Sequence, residues 1–250
     1  VTATFTLMQF NLAITKAGAG TGTVTSSPVG ISCGADCSEL YNYNALVTLT
    51  AVASTPSSTF AGWTGGGCIG TGPCTVQVTA ATTVTATFNL ASYPLTVTRN
   101  GTGGGTVTSM PAGINCPTTC SASFVYPTSV TLTATPDGVS DFAGWSGGGC
   151  SGLGTCTVAM TGMQAVTATF NKKPRTLAIR ITGFGTVTAN GMSCTASCNL
   201  TFPDGTAITM TATPDSTPES RASTFQGWTG AGSAVGCTGT GTCAFTMGAT

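Results

Sequence analysis

Histidine is absent from this 250-residue chain, and charge is scarce: seven Lys/Arg and seven Asp/Glu, a formal net charge of zero. Without His the chain lacks the commonest general base and the commonest metal ligand. A Ser-His-Asp triad, a Cys-His dyad and a His-containing zinc site are excluded, as is the C-x-x-C-H attachment of a c-type haem. Scattered cations balanced by anions give no basic footprint for nucleic acid. Long apolar runs are missing too. Thr and Gly interrupt the apolar residues every second or third position, so nothing approaches the ~18 consecutive apolar residues of a membrane helix. No segment carries helical periodicity. No signal peptide is visible at Val1, and the chain reads as mature or cropped. So little charge suits a free monomer poorly, which makes a packed or polymeric state the natural expectation.

What is present is Thr in abundance, 35 Gly, 12 Pro and 12 Cys, arranged in repeats. Gly62-Trp63-Thr64, Gly144-Trp145-Ser146 and Gly227-Trp228-Thr229 follow one another at 82 and 83 residues. Val-Thr-Ala-Thr-Phe closes two repeats, at Val84 to Phe88 and Val166 to Phe170, and also opens the chain at Val1 to Phe5. Each repeat holds one C-x3-C (Cys33/Cys37, Cys116/Cys120, Cys194/Cys198) and one C-x5-C (Cys68/Cys74, Cys150/Cys156, Cys237/Cys243). The segments are 1–9, a closing strand of a preceding repeat plus linker; 10–90; 91–172; and 173–250, a third repeat without its last strand. Repeat three also carries an extra segment around Ser216–Ala222 and a longer loop from Trp228 to Cys237. Insertions there fit surface loops.

Val130-Thr-Leu-Thr-Ala-Thr alternates strictly, and Ile208-Thr-Met-Thr-Ala-Thr repeats it. Period two marks a half-buried strand, with Thr suited to the outer face. Turn signals such as Asn100-Gly101 and Pro136-Asp137-Gly138 separate about six short strands per repeat. The fold class is therefore all-β: three tandem small antiparallel domains. Short linkers, Asn89–Pro94 and Asn171–Arg175, favour a rod. So small a domain has little core. An even number of regularly spaced cysteines reads as a disulfide framework in an oxidising compartment. Local pairing within each motif is expected; pairing between the two motifs stays open on spacing alone.

In repeat two, Leu-Thr-Val-Thr, Gly-Ile-Asn-Cys, Val-Thr-Leu-Thr-Ala-Thr-Pro, Phe-Ala-Gly-Trp-Ser-Gly and Val-Thr-Ala-Thr-Phe together resemble the divergent bacterial internalin-type B-repeat. The resemblance covers all three repeats. It implies a small β domain, often in tandem, in secreted or surface-attached bacterial proteins, with no enzymatic activity and no cofactor.

Each motif that suggests chemistry has a plainer reading. Four cysteines per repeat suit an all-thiolate zinc site, but the spacing is wider than the usual C-x2-C knuckle. The Gly65–Gly67, Gly103–Gly105 and Gly147–Gly149 runs lack the Lys-Ser/Thr and the helix of a phosphate loop, so they read as tight turns. Trp63, Trp145 and Trp228, each three residues after a Phe (Phe60, Phe142, Phe225), read as core anchors rather than sugar platforms. The close carboxylate pairs Asp36/Glu39, Asp137/Asp141 and Asp215/Glu219 do not recur at matching repeat positions. No catalytic or metal site follows. Asn100-Gly-Thr102 and Asn199-Leu-Thr201 match glycosylation sequons, so surface glycans are one candidate partner.

The leading expectation is a structural segment or subunit of an extracellular, cell-surface fibre or stalk, without membrane insertion. An adhesin or glycan-binding module, and a non-catalytic region of a larger secreted enzyme, are the alternatives. The partners expected are copies of the same chain, or the continuing chain, head to tail. Val1, Ala3 and Phe5 would complete repeat three of a neighbour beside Trp228. Joining Thr250 to a following Val1 gives a hairpin about two residues shorter than in the complete repeats, a length that surface loops accommodate.

Overall fold

The structure, a computed structural model, describes residues 1–216 and 222–248. The Ser216–Ala222 insertion, Glu219 and Thr250 thus fall wholly or largely outside the described residues. Repeat one contains β1 (Gln9–Ala17), β2 (Gly22–Ser27), β3 (Ser32–Cys33), β4 (Ser38–Asn42), β5 (Ala45–Ala53), β6 (Ser58–Thr64), β7 (Cys74–Val78) and β8 (Thr82–Leu90). Repeat two matches it with β9 (Ser92–Asn100), β10 (Gly105–Met110), β11 (Asn115–Cys116), β12 (Ser121–Val125), β13 (Ser129–Pro136), β14 (Ser140–Ser146), β15 (Cys156–Ala159) and β16 (Gln164–Lys172).

Each complete repeat is two four-stranded sheets. The first has the order β4-β1-β8-β6 or β12-β9-β16-β14; the second has β3-β2-β5-β7 or β11-β10-β13-β15. Alternation builds the core between them. On β13, Val130 and Leu132 are buried, and Thr131 and Thr133 face outward. Thr131 meets its cross-strand neighbour Thr157 through their hydroxyls at 3.4 Å, the kind of pair that stabilises an outer sheet face. Buried Leu95, Val97, Val166, Ala168 and Phe170 face them from the other sheet.

Two features differ from the sequence expectation. Pairing is antiparallel except that β1 runs parallel to β8, and β9 parallel to β16. The first and last strands of a repeat lie side by side, joined through the whole domain rather than by a hairpin. The expected linkers are also shorter still. Asn89 and Pro94 lie within β8 and β9, leaving Ala91 alone between the repeats; Lys173 alone separates β16 from the strand that starts at Pro174.

Repeat three contains β17 (Pro174–Ile179), β18 (Gly185–Ala189), β19 (Met192–Cys194), β20 (Cys198–Pro203), β21 (Ala207–Pro214), β22 (Trp228–Thr229), β23 (Thr238–Gly239) and β24 (Cys243–Thr246), with a 3-10 turn at Gly232–Ala234. Its second sheet is whole, β19-β18-β21-β24. Among the described residues its first sheet comprises β17-β20, and β22 pairs with β23. Among the described residues no helix is long and apolar enough to cross a membrane.

Candidate strand-acceptor site in the third repeat

The closing strand is the centre of a complete repeat. β8 lies between β1, parallel, and β6, antiparallel. Its alternate residues Val84, Ala86 and Phe88 point inward and are buried, as are Val166, Ala168 and Phe170 of β16. Burial of one such phenylalanine contributes roughly 1.5–3 kcal/mol.

Three rings meet at this strand. Phe60 lies edge-on to Trp63, with centroids 5.0 Å apart, and tilted on Phe88 at 5.3 Å. Phe142, Trp145 and Phe170 repeat these contacts at 5.0 and 5.3 Å. The Trp63 indole N–H donates to the Gly72 carbonyl at 2.7 Å, and that of Trp145 to Gly154 at 2.6 Å. Both acceptors lie inside C-x5-C loops, which are closed by the Cys68–Cys74 and Cys150–Cys156 disulfides. The bridge thus holds the turn that satisfies the buried indole, meeting the requirement that a buried polar group find a partner. Glycine makes room for the ring: a Cβ on Gly22 would lie 2.2 Å from Phe88, and one on Gly105 would lie 2.4 Å from Phe170.

Repeat three keeps the aromatic pair and the indole hydrogen bond. Phe225 lies edge-on to Trp228 with centroids 4.9 Å apart, and the Trp228 indole N–H donates to the Gly241 carbonyl at 2.7 Å. Among the described residues no third ring joins them. Two clefts flank Trp228, one beside β17 and the other beside the residues just after it. The first, of about 850 Å³, is lined by Leu177, Ile179, Met210, Phe245 and Met247. The second, of about 480 Å³, is lined by Ile181, Gly183, Val187, Ala212 and Phe225. Gly183 has φ +93°, matching Gly101 at +93°. A Cβ on Gly101 would strike the Phe170 carbonyl at 2.1 Å, whereas one on Gly183 would meet nothing within 4 Å.

The same five-residue sequence stands at the other end of the chain, Val1–Phe5. Residues 1–8 form no strand. Phe5 is 92% exposed, against 0% for Phe88 and 1% for Phe170, which occupy the same place in the same five-residue sequence. A strand exists through its ladder, and Val1–Phe5 has no ladder among the described residues.

Trp63 and Trp145 are buried, and Trp228 is half-buried at the clefts. Phe60, Phe142 and Phe225 are half-buried rather than central; Phe60 and Phe142 sit on the edge strands β6 and β14, and Phe225 lies outside any strand. The deepest aromatic plugs are instead Phe88 and Phe170, and their identical motif is the signal that marks them. All twelve cysteines are paired locally: Cys33–Cys37, Cys68–Cys74, Cys116–Cys120, Cys150–Cys156, Cys194–Cys198 and Cys237–Cys243. Among the described residues no group of His, Cys, Asp or Glu could hold a metal ion.

A family profile described as the divergent InlB B-repeat domain matches residues 12–92, 95–174 and 176–250, nearly the whole chain. The chain belongs to this family. Each B-repeat match covers most of one repeat, two complete two-sheet units and then the third repeat. Among solved structures, the B-repeat chain is similar to the Bacillus anthracis TIE protein, at a TM-score of 0.51 and 10% identity. The match covers 96% of this chain and 48% of that one, so this chain spans about half the length of that one. At this identity the likeness is one of fold. A minor pilin of Streptococcus agalactiae (GBS52; TM-score 0.26, 7% identity, 70% of this chain and 99% of that one) also matches. So does the major pilin T-13 of Streptococcus pyogenes (TM-score 0.25, 9% identity, 66% and 97%). Scores this low carry no structural argument. No curated protein sequence matches the chain.

Proposed function

We propose that this chain is a non-enzymatic structural unit of an extracellular bacterial fibre or stalk. Repeats join head to tail, a Val1–Phe5-type strand completing repeat three from the neighbouring unit, either a second copy or the continuing chain. One observation carries the reading: repeat three retains the Phe225–Trp228 pair and the glycine-lined clefts that receive Phe88 and Phe170 elsewhere, and Val1–Phe5 repeats the sequence they receive. A strand that adds to an open sheet edge gains main-chain hydrogen bonds for affinity and side-chain pockets for specificity. Donor and acceptor lie at opposite ends, so the contact is heterologous, the kind that builds an open filament where its rotation does not close.

Six disulfides support an oxidising, extracellular setting. Sugar stacking has less support, because Trp63 and Trp145 are buried with their indole N–H groups bonded. Light scattering and negative-stain microscopy of the purified chain test the reading. Copies should form linear oligomers in multiples of 24.6 kDa. A chain lacking residues 1–7 should stay monomeric. A monomeric full chain at high concentration, or equal oligomers from the shortened chain, would overturn it.

A further inference from the structure

One residue joins successive repeats, and its backbone is held from both sides. The Ala91 N–H donates to the Ser57 carbonyl of repeat one at 2.9 Å, while the Ala91 carbonyl accepts the Tyr126 N–H of repeat two at 2.8 Å. Lys173 does the same between repeats two and three. Its N–H donates to Val139 at 2.9 Å, and its carbonyl accepts the Asp204 N–H at 2.8 Å. Two different side chains thus sit in one backbone clamp.

Met8 holds the matching position, three residues after Phe5 as Ala91 and Lys173 are three after Phe88 and Phe170. Half of its clamp is already made: the Met8 carbonyl accepts the Tyr43 N–H at 2.8 Å. The residue matching Ser57 and Val139, three before the Phe of the Phe-x-x-Trp motif, is Ala222. Resting on the strand-completion reading, we infer that Met8 is the joint residue between copies. Its N–H donates to the Ala222 carbonyl of the copy whose repeat three it completes.

The register follows from repeat two. There Val166 pairs with Val97, and Phe170, Ala168 and Thr167 pair with Phe142, Trp145 and Ser146. Transferred to repeat three, Val1 lies beside Ile179, Phe5 opposite Phe225, Ala3 opposite Trp228 and Thr2 opposite Thr229. Residues 1–7 then supply the last seven of the nine positions of β16. The joint between copies has the same backbone bonds as the joints within one copy.

Two substitutions separate this joint from the strand reading beneath it. A T2C/T229C chain places cysteines at opposed positions and should give disulfide-linked ladders on non-reducing gels, whereas T4C/T229C should not. Met8→Pro removes the N–H and keeps the carbonyl. Against Met8→Ala, it should raise the concentration needed for assembly by about two- to tenfold, the worth of one hydrogen bond, with unchanged folding by circular dichroism. Ladders from T2C/T229C, with Met8→Pro assembling as well as Met8→Ala, would overturn the joint and leave the strand reading intact. Absence of T2C/T229C ladders would overturn both.

Discussion

The Phe170 ring lies tilted against Phe142, with centroids 5.3 Å apart, and so ties the last strand of repeat two to the strand that carries Trp145. The same spacing joins Phe88 to Phe60. Phe225 keeps its Trp but has no such third ring among its described contacts. The candidate site is thus an unfinished version of a core that the chain builds twice.

Phe170→Ala should destabilise repeat two by about 3–5 kcal/mol, because a fully buried ring leaves a cavity. Denaturant unfolding reads this directly. Phe5→Ala, at an exposed position, should leave the unfolding of the dilute chain unchanged and weaken assembly. Equal unfolding losses from both substitutions would mean that Phe5 is already buried within its own chain.

Replacing Cys68 and Cys74 by Ser opens the loop that holds the Gly72 carbonyl against Trp63. Loop entropy alone gives a loss of about 2 kcal/mol, a large share of the stability of so small a domain. The melting temperature of repeat one should fall, and Trp63 fluorescence should shift to the red. An unchanged melt would show that the hydrophobic core alone holds the turn.

Asp204 is almost fully buried beside the second joint. Its carboxylate accepts the Arg175 Nε–H at 2.6 Å, and its own N–H reaches the Lys173 carbonyl. Asp204→Ala keeps the backbone bond and removes the ion pair. Charge-assisted hydrogen bonds of this kind are worth about 1.5–3 kcal/mol, so repeat three should melt earlier. Partial burial shields the pair from salt, and raising ionic strength should reproduce little of the effect. A wild-type melt that falls as far in high salt as in the variant would contradict it.

Much of this was legible in the sequence because period-two alternation reports directly which side chains face inward. Val130, Leu132, Val84 and Phe88 all follow it into the core. Alternation does not report a strand's neighbour or its direction, so the parallel pairing of β1 with β8 was not legible. β3 and β11 are two residues each, too short for any period. Ala91 and Lys173 act through backbone groups, which leave no trace in residue type. The acceptor site was legible only through repetition: Val1–Phe5 means nothing until Val84–Phe88 and Val166–Phe170 show where that sequence sits.

Electron cryo-microscopy of the assembled material tests the central claim most directly. The account predicts a strand between β17 and the 225–229 segment, continuous with the Gln9 strand of the next copy, its Phe5 ring about 5 Å from Phe225 as aromatic pairs require. Assemblies in which residues 1–7 lie in solvent while the clefts beside Trp228 stay open would contradict it.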